Sequence, residues 1–128
     1  MKQLAILWVL MVVSGLVHAQ SEIFTPMKDA IKANDAAALV KSFASSVDIN
    51  LEGNINTYSK AQSEFVLKDF FKKHPVTEFT IVHMGSSKGG LQFCIGRYLS
   101  GSDSYNVLIR LRQLGSEYLV HEISFVKE

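Results

Sequence analysis

The sequence predicts an α+β domain, in which three N-terminal helices pack on a curved antiparallel sheet of about four to five strands. Two observations support this prediction. In the first half of the chain, apolar residues recur with helical spacing. From Val76 onward they alternate instead, in four runs that are separated by turn residues. Short turns between successive strands favour an antiparallel meander.

The first nineteen residues have the pattern of a secretory signal peptide. Lys2 is followed by a ten-residue apolar run, and small residues precede a predicted cleavage site after Ala19. The run is shorter than the roughly 20 residues that a membrane-spanning helix needs. We therefore expect residues 1–19 to be removed and residues 20–128 to form one exported domain, periplasmic or extracellular, with no integral membrane segment. An uncleaved N-terminal anchor is the alternative.

Composition excludes several classes of protein. The chain has 128 residues, 13 Lys and Arg, and 12 Asp and Glu, so its formal net charge is +1. Removal of Lys2 leaves 12 basic and 12 acidic residues, a balance that argues against a nucleic-acid partner. The single cysteine excludes an internal disulfide and a zinc site built on several thiolates. We expect Cys94 to be a buried structural thiol on the less buried face of the sheet.

Three segments predict the helices. Apolar residues recur every four positions from Ile23 to Ile31 and form one helical face. Asp35 is a good N-cap for a second helix with the sequence AAALVKSFA. Ser59 and Gln62 have the spacing of a capping box and predict the start of a third helix. The His-Pro pair at its far end predicts its stop, because the residue before proline disfavours helical geometry.

Alternation predicts the strands and the face to which each residue points. A short strand is expected at Val47–Leu51, ended by the Gly-Asn pair that follows. Four longer ones are expected at Glu78–Met84, Leu91–Leu99, Tyr105–Leu114 and Tyr118–Val126. The last two are joined by Gly115-Ser116, which suits a type II′ turn. The predicted core face contains Phe79, Ile81, His83, Phe93, Ile95, Arg97, Leu99, Tyr105, Val107, Ile109, Leu111, Leu119, His121, Ile123 and Phe125.

The opposite face mixes apolar residues with charged ones, among them Arg110, Arg112 and Glu122. Two explanations of this mixture remain open. A homodimer through the sheet would cover the apolar groups. Scattered surface apolar groups are also common on monomeric proteins and need no partner.

Several segments resemble a known family. The segment IKANDAAALVKSFASSVDI, followed by a helix and four antiparallel strands, resembles the nuclear transport factor 2-like fold of the cystatin-like superfamily. The segments TYSKAQSEFVLKDFFKKHP, IVHMGSSKGG and FCIGRY are similar to a family of small secreted bacterial proteins of unknown function. The resemblance implies a cone-shaped domain with a bent sheet wrapped around helices. It implies no activity and no catalytic residues.

The candidate ligand-binding residues are Tyr58, His83, Arg97 and His121. An inward histidine can act as a general base, because burial and neighbours move its pKa toward neutrality. Arg97 could hold an anion, and Tyr58 could donate a hydrogen bond at the rim of the cone. The alternative is that each histidine is a hydrogen-bonded core residue, and that Arg97 pairs with a nearby carboxylate.

The predicted core face has no Asp or Glu, which an isomerase or dehydratase of this fold would use as a base or as a partner to histidine. Asp48 and Glu52 flank the helical half and could still reach the mouth of the cone, so this point stays open. We nevertheless favour an exported, non-enzymatic binding or interaction domain. A small ligand would occupy the cone, or a protein partner would cover the sheet. The alternative is a small isomerase, dehydratase or hydrolase that uses His83 or His121. We expect no cofactor and no metal, since no metal-ligand spacing and no phosphate-binding loop is present.

Overall fold

Three helices and six strands make up residues 22–128, the part of the chain that the computed structural model describes. The predicted signal peptide lies outside these residues. The helices are α1 over residues 22–32, α2 at Ala36–Val40 and α3 at Lys60–Lys73. The strands are β1 Phe43–Leu51, β2 Asn54–Ser59, β3 Glu78–Ser87, β4 Leu91–Ser100, β5 Asp103–Leu114 and β6 Glu117–Lys127. The α+β class is confirmed, and the expectation of four to five strands is too low.

All six strands form one sheet, in the order β2-β1-β6-β5-β4-β3. The predicted meander is confirmed, because β3, β4, β5 and β6 pair antiparallel in succession. Gly115 has a φ of 64° at the first position of the β5–β6 turn, as the predicted turn requires. Strand β1 then pairs parallel with β6 and antiparallel with β2, so the sheet extends beyond the meander.

Both helix starts that the sequence predicts from capping residues are confirmed. Asp35 Oδ1 accepts a hydrogen bond from the Ala38 amide at 3.0 Å. At α3, Ser59 Oγ accepts from the Gln62 amide at 3.2 Å, and the Gln62 side chain accepts from the Ser59 amide at 3.0 Å. These bonds satisfy amide groups that the first turn of a helix leaves without partners.

The second helix is shorter than predicted, and the strand after it is longer. Helix α2 ends at Val40, and the segment from Phe43 that we expected to be helical begins β1. Phe43, Val47 and Ile49 occupy odd positions and are all buried. Val47 and Ile49 lie on one buried face of the strand, whereas Ser45 is exposed where the pairing of β1 with β6 shifts. The Val120 amide donates to the Ser42 carbonyl at the point where β1 joins β6.

Strand β2 was not predicted from the sequence. It follows a tight turn at Glu52 and Gly53, whose φ values are 54° and 94°. Five of its six residues are exposed, and Tyr58 is half-buried against the core. Because an exposed edge strand shows no alternation of burial, its sequence has no apolar period to detect.

The face assignment of β4 is wrong by one residue. Cys94, Gly96 and Tyr98 point into the core, so Arg97 and its predicted companions point to the opposite, outer face. Gly96 explains the register, because a Cβ atom there would stand 2.6 Å from the ring of Phe79. Cys94 is buried as predicted, although on the core face rather than on the less buried one.

Two bulges remove the predicted histidines from the core face. In β3 the pairing with β4 shifts between Ile81 and His83, so that His83 lies opposite Ile95 on the outer face. In β6 the pairing with β5 passes from Glu122 to Val120, which makes His121 the extra residue of the bulge. The alternation that placed both histidines inward does not continue across an inserted residue.

Aromatic side chains fill the space between α3 and the inner face of the sheet. The ring of Phe70 lies 4.6 Å from that of Phe125, 5.5 Å from Tyr105 and 5.8 Å from Tyr98, measured between centroids. Phe71 lies 6.1 Å from Phe70 and extends the cluster. The interior that the predicted cone would offer to a small ligand is therefore occupied by the protein's own rings.

Candidate functional site

The four candidate residues lie on four different strands. Tyr58 is on the edge strand β2, His121 on β6, Arg97 on β4 and His83 on the opposite edge strand β3. Since neighbouring strands are about 4.8 Å apart, five spacings separate Tyr58 from His83 by roughly 24 Å. The four residues do not form a single site.

Arg97 is part of a surface network. Its Nη2 lies 3.5 Å from Glu128 Oε2, and its Nε donates to Ser104 Oγ at 3.3 Å. Ser104 Oγ in turn donates to Glu128 Oε2 at 3.0 Å. The arginine side chain is 57% exposed, so these contacts are screened by solvent and leave the guanidinium accessible.

The two histidines differ in environment. The exposed His83 ring lies 5.8 Å from the ring of Phe93 across the strand pair. His121 is half-buried, and its Nδ1 is buried without a hydrogen-bond partner. Burial and the charge of Arg112 lower the pKa of His121, so the neutral imidazole is favoured near neutral pH.

A buried polar contact that sequence reasoning missed lies where α3 ends. The Tyr98 hydroxyl donates to the His74 carbonyl, and the Tyr105 hydroxyl lies 3.1 Å from His74 Nδ1. Burial raises the pKa of both phenols, and the Glu52 carboxylate adds to the effect at Tyr105. The only sequence signal here was the His-Pro pair, which we interpreted as a helix stop. The contact ties the end of α3 to β4 and β5.

The outer face has a groove of about 400 Å³ over β4 and β5. It is lined by Ser87, Leu91, Gln92, Phe93, Ile95, Leu108 and Arg110. Most of its lining is apolar, and the guanidinium of Arg110 supplies a cation. Arg110 Nη1 is 3.8 Å from Glu122 Oε1, and both side chains are partly exposed, so this ion pair is weak. The groove was missed because Phe93 and Ile95 were assigned to the core face.

Among residues 22–128, no three His, Cys, Asp or Glu side chains stand close enough together to hold a metal ion. Over the same residues, no helix has the length and apolar character needed to cross a membrane.

The fold defines a nuclear transport factor 2-like, cystatin-like domain, as its solved neighbours show. An NTF2-like protein of unknown function from Shewanella baltica is similar with a TM-score of 0.68 and 13% identity, over 90% of this chain and 95% of that one. A protein with a cystatin-like fold from Nostoc punctiforme is similar with a TM-score of 0.66 and 12% identity, over 88% and 76%. The predicted fold family is therefore confirmed.

The chain belongs to the DUF4783 family, a domain of unknown function whose family model matches residues 24–126. The crystal structure of a DUF4783 family protein from Bacteroides uniformis is similar with a TM-score of 0.75 and 23% identity, over 80% of this chain and 94% of that one. No curated protein matches the sequence. The predicted membership of a family of unknown function is confirmed, and the fold is what these structures establish.

Proposed function

We propose that this protein is an exported, non-enzymatic binding domain that holds a small anionic amphiphile in its outer-face groove. The groove itself is the observation that supports the proposal. Its volume of about 400 Å³ falls in the range of small-molecule sites, which are mostly apolar with a few placed polar groups. Phe93, Ile95 and Leu108 would contact an apolar body, and Arg110 would contact a carboxylate or another anionic head.

The positions of the candidate acid–base residues favour binding over catalysis. General acid–base chemistry needs groups within hydrogen-bond reach of one reacting atom. His83 and His121 lie on strands β3 and β6, which two other strands separate. Rings also fill the space between α3 and the sheet, and this favours a ligand on the outer face rather than inside the cone.

Titration calorimetry with decanoate tests the proposal on the exported protein. Arg110→Gln should weaken binding about 10-fold, because it removes the cation at the groove. Arg112→Gln is the matched control: it removes the same charge two residues along β5, outside the groove, and should leave the affinity within about twofold. Equal weakening by both variants would mean general charge attraction and would contradict the proposal.

Export is the second part of the proposal, and the predicted signal peptide over residues 1–19 supports it. The mass of the protein recovered after export should correspond to a chain that begins at Gln20. A mass that includes Met1 would contradict cleavage.

The charge pattern of the outer face favours a homodimer as a second candidate. Arg97 and Arg110 lie on β4 and β5, while Glu122 and Asp48 lie on β6 and β1. Two copies could pack with their outer faces together about a two-fold axis that runs parallel to the strands, above the boundary between β5 and β6. The arginines on β4 and β5 of one copy would then lie over the acidic residues on β6 and β1 of its partner. Sedimentation velocity at micromolar concentration distinguishes the candidates, since a monomer that binds decanoate excludes the dimer.

A further inference from the structure

The edge of β3 is an unpaired edge of the sheet. Within residues 22–128, β3 pairs with β4 and has no strand on its other side. Along any strand, successive backbone N–H and C=O groups point alternately to the two sides, so half of those in β3 point away from the sheet. Such an edge is a template for an added strand.

A groove follows this edge on the side of the helices. Lys28 and Lys32 of α1 line it together with Phe79, Ile81 and Met84 of β3, and its volume is about 270 Å³. A second groove of about 320 Å³ continues it toward the start of β3 and shares Lys32 and Phe79. A strand added to β3 would therefore place its helix-side residues between an apolar wall and two lysines.

The spacing of the two lysines fits a strand. Four residues of α-helix advance about 6 Å, and two residues of extended chain advance about 6.6 Å. Carboxylates two residues apart on an added strand point to the same side and would therefore face Lys28 and Lys32 together. No ion pair within residues 22–128 involves Lys28 or Lys32, so a peptide carboxylate would not have to displace an existing one.

The outer side of the same edge has different chemistry. A groove of about 450 Å³ there is lined by Glu78, Thr80, Val82, Arg97 and Leu99. Glu78 opposes a further acidic group, Val82 is 62% exposed, and the exposed guanidinium of Arg97 already has a carboxylate, that of Glu128, at 3.5 Å. The residue between the two carboxylates would face this side, where an apolar side chain fits better than a charged one.

We propose that the β3 edge binds an extended acidic peptide with the pattern acid, apolar residue, acid. The peptide adds as a seventh strand beside Glu78–Ile81, before the bulge that shifts the pairing of β3. Backbone hydrogen bonds supply a sequence-independent part of the affinity, and the two lysines select the spacing of the carboxylates. This site is separate from the outer-face groove at Arg110.

Two peptides of identical composition test the spacing. TVEVEVT places both glutamates on one side of a strand, and TVEEVVT places them on opposite sides. Fluorescence anisotropy on the exported protein should show TVEVEVT binding about 10-fold more tightly. Amide hydrogen exchange should show new protection in β3 and none at the other sheet edge, β2. Equal affinities, or protection at both edges, would overturn the proposal.

Matched lysine variants test the charges. Lys28→Gln with Lys32→Gln should weaken TVEVEVT about 10-fold. Lys68→Gln with Lys72→Gln removes two exposed lysines at the same helical spacing from α3, neither of which lines a groove at the β3 edge, and should change the affinity less than twofold. Equal losses in the two double variants would overturn the proposal. So would equally tight binding of single-stranded DNA, which would indicate a general polyanion surface.

Discussion

The two faces of the sheet are built from the same strands, yet they differ in what covers them. The inner face is packed against α3 by fully buried aromatic residues such as Tyr98, Tyr105 and Phe125. The outer face places apolar residues beside charged ones, and its ion pair between Arg110 and Glu122 spans 3.8 Å with both side chains partly exposed. The inner face therefore determines stability, and the outer face and the sheet edge are available for binding.

The largest effect should come from the centre of the inner face. Phe70→Ala removes the ring that contacts Tyr98, Tyr105 and Phe125, and we expect it to lower the free energy of unfolding by about 3–5 kcal/mol. Urea unfolding followed by circular dichroism measures the change. Phe65→Ala is the control on the same helix, because its side chain is 71% exposed and its loss should cost under about 0.5 kcal/mol.

The position of Cys94 gives the next largest effect. Burial raises the pKa of its thiol from 9.0 to about 12, and the side chain has no exposed surface. At pH 8 the reactive thiolate is therefore about 1,000-fold scarcer than for an unperturbed thiol. A colourimetric thiol reagent should label the native protein at least that much more slowly than the unfolded protein. Rapid labelling of the native protein would place Cys94 on an accessible face.

Substitutions at two glycines, one on each face, compare how tightly the two faces of the sheet are packed. An added Cβ at Gly96 would stand 2.6 Å from the buried ring of Phe79, and one at Gly85 would stand 2.6 Å from the ring of Phe93. Phe79 is only 2% exposed and packs against Tyr98, whereas Phe93 is half-buried and lines the more open outer-face groove, so its ring has more room to move. We expect Gly96→Ala to cost about 1–3 kcal/mol and Gly85→Ala under about 1 kcal/mol. Equal losses in urea unfolding would mean that the outer face is as tightly packed as the core.

Sequence reasoning was reliable where one local rule decides the structure. The caps at Asp35 and Ser59 and the turn at Gly115 depend on hydrogen bonds or backbone angles within a few residues, and all three are confirmed. The order of the meander follows from short turns in the same way. Strand β2 could not be predicted from alternation, because most of its side chains are exposed.

The candidate site was harder to predict because it depends on which face each strand presents. In β4 the more apolar alternate set, with Phe93 and Ile95, faces outward, because Gly96 in the other set has no side chain and so admits the ring of Phe79. At His83 and His121 a single inserted residue breaks the alternation, and a bulge has no apolar pattern of its own. The groove at Arg110 could be seen only after these registers were known.

The smallest expected effect tests the bulge on β6. Burial and Arg112 lower the pKa of His121 in the folded protein, so the unfolded chain takes up the proton first as pH falls. The free energy of unfolding should therefore be at its full value above about pH 6.5 and should decrease below it. His121→Gln should reduce that decrease by at most about 0.5 kcal/mol, because the half-exposed side chain is screened by solvent. Arg112→Gln should reduce it by less, as measured by urea unfolding at pH 5 and 7. If His121→Gln leaves the decrease unchanged, the pH dependence comes from another group and not from the bulge on β6.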